Sequence, residues 1–133
     1  MPDDWGMIVH LLATAQATGD LVRLQTQLGT GTGRWQGPGP QPANVPIDVE
    51  LDFHELVHWN STEISSAPPL IQIQATGTLL RGHVTHLSND GLLGLQLGNG
   101  NIHLDMEGEP PRDVLDHAVA VILPAIDIYP TGT

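Results

Sequence analysis

Residues Val45 to Asn60 read VPIDVELDFHELVHWN and hold two incompatible patterns. His54-Glu55-Leu56-Val57-His58 spells H-E-x-x-H. On a helix, that spacing brings both imidazoles onto one metal and leaves the glutamate as general base. The flanks spell a strand instead. Ile47, Val49, Leu51, Phe53, Val57 and Trp59 share one parity, and Asp48, Glu50, Asp52, His54 and His58 share the other. Period-2 alternation marks a half-buried strand. In such a strand His54 and His58 share a face but stand ~13 Å apart, too far for one ion. The longer metzincin pattern also fails, because Ile64 stands where the third histidine belongs. The strand reading prevails. No metal or cofactor is expected, and a zinc hydrolase built on His54, Glu55 and His58 is the remote alternative.

Glu55 is the one charge on the apolar parity. A bulge between Phe53 and Val57 would re-aim it cheaply. A buried carboxylate at a barrel mouth is the competing reading, and it would carry a raised pKa.

Working outward, fifteen glycines and eleven prolines punctuate the chain at short intervals, as many short strands with turns require. Met7 to Ala17 alternates as a strand, with a helix as the competitor because of its leucines and alanines. Ala17 to Asp20 reads as a turn, and Leu21 to Leu28 as the hairpin partner. Gly29 to Pro46 is the longest irregular segment, a loop at 29–46. Its glycines lack the G-K-[ST] or G-x-G-x-x-G context of a phosphate cradle. Asn60 to Pro69 reads as a polar linker at 60–69.

Beyond it, Leu70 to Thr76, Leu79 to Leu87, Leu92 to Leu97, Ile102 to Glu107, His117 to Leu123 and Ala125 to Tyr129 read as strands. A bend or bulge is expected at Arg81-Gly82, turns at Ser88–Gly91 and Asn99-Gly100, and one helical turn at Asp113–Asp116. Leu21–Trp59 and Leu92–Tyr129 rhyme: each runs strand, glycine turn, proline break, then a long strand ending in an aromatic residue. An ancient duplication leaves that pattern, and low-complexity strands also produce it. The expected fold is a single all-β domain over residues 1–133. It is an antiparallel barrel or sandwich of about eight short strands, with at most a helical turn or one short helix. The pattern from Leu79 to Tyr129 resembles small OB-type barrels. It carries no residue-specific motif, so the resemblance implies a barrel and no function.

Charge narrows the function. Fifteen acids face four arginines (Arg23, Arg34, Arg81, Arg112) and no lysine, for a formal net charge of −11. Such a surface repels phosphate backbones, so nucleic acid is not expected as a partner. It suits a basic protein partner reached by electrostatic steering, and it also serves solubility alone. No apolar run approaches the ~18 residues that span a membrane. The first residues carry acids where a signal peptide needs positive charge, so a cytoplasmic protein without a membrane partner is expected. No cysteine nucleophile, no Schiff-base lysine and no G-x-S-x-G occur.

The leading expectation is a small acidic binding module without catalysis. It acts through a protein partner or self-association, as an immunity- or inhibitor-type protein would. The contact residues expected are Arg34 and Trp35, types enriched at hot spots, and the Asp48-Glu50-Asp52 stripe. The stripe also reads as a solvated face that blocks edge pairing. The second expectation is a barrel holding a small apolar ligand in its lumen, as a carrier or as a cofactor-free enzyme, with Glu55 and Tyr129 as polar handles.

Overall fold

Apolar alternation places most of the strands. The structure is a computed structural model and describes residues 6–131. In chain order its strands are β1 (Met7–Leu11), β2 (Leu21–Thr26), β3 (Gly29–Trp35), β4 (Ile47–Asp52), β5 (Val57–His58), β6 (Thr62–Ser65), β7 (Leu70–Gln74), β8 (Gly77–Leu87), β9 (Leu92–Leu97), β10 (Gly100–Glu107), β11 (Ala118–Leu123) and β12 (Ile126–Pro130). The only helical pieces among the described residues are 3₁₀ turns at Trp59–Ser61 and Val114–Asp116. The fold is all-β and single-domain, as expected, with more and shorter strands than the alternation alone suggests.

Several boundaries differ from the sequence expectation. Residues 29–35, read as the start of a loop, form β3. Its Gly31, Gly33 and Trp35 face inward, and the glycines hide the alternation from a hydrophobicity count. The irregular segment is confined to residues 36–46. The linker at 60–69 contains β6, which pairs with β11. The long strand of residues 45–60 divides into β4 and β5 with a break at Phe53–Leu56, where Glu55 lies exposed. The local-break reading of Glu55 holds, and the buried-carboxylate reading does not. The β8 bulge falls between Val84 and His86, not at Arg81-Gly82. The β9–β10 turn uses Gly98-Asn99, with Leu97 opposite Gly100. Gly98 supplies the φ of +63° there.

Strands β1-β2-β3-β12-β4 close into a five-stranded barrel. The other strands form a curled sheet in the order β5-β10-β9-β8-β11-β6, with β7 beside β8. Its two edges, β5 and β6, are separated in the chain only by the Trp59–Ser61 turn. One short segment therefore borders both ends of the sheet, which wraps almost into a second barrel.

The two bodies share one topology. β1 pairs antiparallel with β2 and β4, as β8 does with β9 and β11. The β2–β3 hairpin pairs Leu21 with Arg34 and Thr26 with Gly29. The β9–β10 hairpin pairs Leu92 with Asp105 and Leu97 with Gly100. β12 runs parallel to β3 and antiparallel to β4. In the same way, β5 runs parallel to β10 and β6 antiparallel to β11. The rhyme between the sequence halves is thus a repeat of strand topology. The last strand of each repeat crosses into the other repeat's sheet: β5–β6 follow β4 but close the second body, and β12 follows β11 but closes the first. The OB-like run Leu79–Tyr129 is consequently divided between both bodies.

One hydrophobic cluster serves both, with Leu11, Leu24, Trp35, Leu80, Leu95, Ile102 and Leu104 at most 1% exposed. Each such side chain contributes on the order of 1.5–3 kcal/mol of burial. Trp35 belongs to this core, and its indole Nε1–H donates to the Pro38 carbonyl at 3.0 Å. It is not a surface contact residue. Between the bodies, the fully buried Thr78 Oγ1 accepts the Thr32 backbone N–H at 2.9 Å, and the Ile71 N–H donates to Leu28 O at 3.0 Å.

Two substitutions test this core. Trp35→Ala should lower unfolding free energy by about 3–5 kcal/mol. Thr78→Val, close in shape, should cost about 1–3 kcal/mol because it removes the buried hydroxyl that accepts the Thr32 N–H. Denaturant midpoints at constant m-value measure both.

Candidate functional site

The exchanged strand β12 builds the most concentrated chemistry in the molecule. Strand pleat sends Leu51, Ile126 and Ile128 inward, so their neighbours must face outward. Register then sets Asp127 directly opposite Asp52, and Tyr129 opposite Glu50. Two carboxylates facing each other across a ladder repel. His54, just past the end of β4, folds back over them. Its Nε2 lies 3.6 Å from Asp52 Oδ2 and 3.4 Å from Asp127 Oδ2. The same nitrogen is 3.0 Å from the Tyr129 hydroxyl, and the two rings meet edge-on at 6.2 Å. A neutral imidazole accepts the Tyr129 O–H at that distance. A protonated one turns its N–H toward the two carboxylates. Gln36 Nε2 donates to Asp127 Oδ1 at 2.8 Å and fixes this carboxylate from the other side.

Burial, then the charges of Asp127 and Asp52, raise the Tyr129 pKa above its ordinary 10.0. The phenol is therefore held protonated, as a hydrogen-bond donor rather than a nucleophile. The cluster of His54, Asp52, Asp127, Tyr129 and Gln36 contains no serine, threonine or cysteine. An open groove of ≈ 480 Å³ runs beside it, lined by Glu50, Asp52, Tyr129, Pro130 and Thr131.

A second groove, ≈ 730 Å³ and also open, lies on the outer face of β8-β9-β10. It is lined by Thr85, His86, Leu92, Gln96, Gly98, Asn99, Asn101 and His103. Burial and the neighbouring His86 lower the His103 pKa below 6.5, and Asp52 partly opposes them.

The residues expected from the sequence separate into four groups. Arg34, Asp48, Glu50 and Asp52 share the outer wall of the barrel, where Arg34 sits beside Asp127 in the β3–β12 register. Trp35 points into the core. Glu55 and Tyr129, the handles foreseen for a lumen ligand, both lie on the outside, while packed side chains fill the barrel interior. His54 and His58 have separate carboxylate partners, because His58 Nδ1 lies 2.9 Å from Glu107 Oε1. The H-E-x-x-H letters thus fall on a strand break and do not form a chelate. Among the described residues, no group of three or more His, Asp or Glu is placed to hold a metal ion. No helix there is long and apolar enough to cross a membrane.

Sequence reasoning missed Asp127, Gln36 and the His86–His103 pair. Compared with known proteins, the chain matches no family model, no curated protein and no solved structure.

Tyr129 is the sole tyrosine, so its ionisation can be followed directly. Ultraviolet titration should give a midpoint above 10.0. Asp127→Asn should move it down, because removing a nearby negative charge favours the phenolate.

Proposed function

We propose that this protein is a non-catalytic binding module whose β4–β12 face takes up a basic segment of a protein partner. The observation that carries the reading is the composition of that face. Asp48, Glu50, Asp52 and Asp127 stand in register on two adjacent strands, with the 37%-exposed ring of Tyr129 among them. Carboxylates on a rigid wall suit the planar fork of an arginine. A neighbouring phenol adds a cation–π surface. The net charge of −11 steers a basic partner toward the molecule before contact. The cluster holds neither serine nor cysteine, which favours binding over covalent chemistry. So does the filled barrel interior, which leaves outside grooves as the places for a ligand.

The test is a titration with an arginine-rich decapeptide, at low and at physiological salt. Expected are saturable binding that weakens with salt and a loss of at least tenfold in both Glu50→Gln/Asp52→Asn and Tyr129→Ala. A control variant removes two acids away from this face, Glu63→Gln/Glu109→Gln, and should bind nearly as the parent does. An equal loss in the control would mean that net charge alone drives the association, and it would sink the assigned face. Absence of binding would sink the module itself.

A further inference from the structure

The β8 bulge has a chemical consequence on the outer face of β8-β9-β10. His83 and His86, three residues apart, would face opposite sides of a regular strand. The extra residue at Thr85 re-phases β8. Val84 is buried, Thr85 and His86 both lie outside, and His86 comes opposite Gly94. Gly94 is also opposite His103 on β10. The two imidazoles therefore stand on either side of a residue without a side chain, with ring centroids 6.5 Å apart and planes at 71°. A Cβ at position 94 would lie 3.3 Å from Cδ2 and Nε2 of His103 and 3.0 Å from Thr85 Oγ1. The Nε2 edge of His103 thus overlooks the glycine gap between the rings.

We propose that His86 and His103 form a two-imidazole site for a divalent first-row transition ion of the copper or zinc type. A ring nitrogen binds such an ion at ~2.0–2.1 Å, which places two coordinated ring centroids about 5 Å apart in a tetrahedral arrangement and slightly over 6 Å in a linear one. The observed 6.5 Å exceeds both, so the two outward-facing side chains must turn toward each other, closing the gap by about 1–1.5 Å, to take the ion in a tetrahedral set. Burial lowers the His103 pKa, which favours the neutral, ligating form of this imidazole. The groove provides amide and hydroxyl oxygens from Gln96, Asn101 and Thr85 beside the pair, but no carboxylate among its lining residues. That set suits nitrogen-seeking ions and not magnesium or calcium, which require several hard oxygen ligands. With two protein nitrogens, water completes the coordination. The acidic surface raises the local concentration of any cation. This inference does not rest on the peptide-binding reading, which uses the β4–β12 face.

The test is a titration of the intact protein with Cu²⁺, Zn²⁺ and Mg²⁺ in a non-coordinating buffer, read by calorimetry and, for Cu²⁺, by electron paramagnetic resonance. Expected are one equivalent of Cu²⁺ bound more tightly than Zn²⁺, no Mg²⁺, and hyperfine splitting from two nitrogens. Affinity should fall at least tenfold in His86→Ala and in His103→Ala, and should be retained in His54→Ala, His58→Ala and His83→Ala. Gly94→Ala, which fills the gap and leaves both imidazoles in place, should also weaken binding. Thermal melts accompany each variant, and a destabilised alanine variant is replaced by the glutamine one. No stoichiometric Cu²⁺, or Cu²⁺ binding unchanged in both His86 and His103 variants, overturns the proposal.

Discussion

The structure depends on the exchange of final strands between its two topological repeats. A sheet edge presents unpaired N–H and C=O groups, and a short all-β chain must cover them. Here β12 enters between β3 and β4 and closes the first body, while the segment running through β5 and β6 borders both ends of the second. The parallel approach of β12 to β3 is close. A Cβ at Gly33 would stand 2.6 Å from the Ile126 carbonyl oxygen, so only glycine lets these backbones meet. Neither repeat can complete its own sheet alone, and the common core follows from that.

The exchange also explains where charge accumulates. Pairing β12 with β4 is favourable inside, where Leu51 meets Ile128, and unfavourable outside, where Asp52 meets Asp127. His54 and Gln36 answer the repulsion from opposite sides. A local rule broken in this way, with compensation from residues distant in sequence, is characteristic of a functional surface. The bulge in β8 is a comparable departure. It interrupts a regular ladder and places His86 in line with Gly94 and His103.

Much of the architecture was legible because burial imposes alternation. Met7, Val9 and Leu11, then Ile102, Leu104 and Met106, declare their inner faces in the sequence, and each is buried. β3 was not legible, because its inward Gly31 and Gly33 carry no hydrophobic signal. The site was legible in part. Asp48, Glu50 and Asp52 stand on one strand and must share a face. Asp127 could join them only through a register between residues far apart in the chain, and no local pattern encodes that register. Trp35 misled because composition cannot tell an exposed aromatic from a buried one.

By itself, the sequence determined an acidic, cysteine-free, all-β chain whose H-E-x-x-H letters sit in a strand pattern and not on a helix. Those conclusions rest on composition and on period-2 alternation, which are local properties. Only the tertiary structure decided which repeat each last strand completes, that Glu55 faces water, and that His54 bridges two carboxylates and a phenol. It alone set His86 beside His103. These outcomes follow from strand pairing and from one extra residue in β8. Pairing energy depends on which strands meet, and a one-residue shift of register turns every side chain to the opposite face.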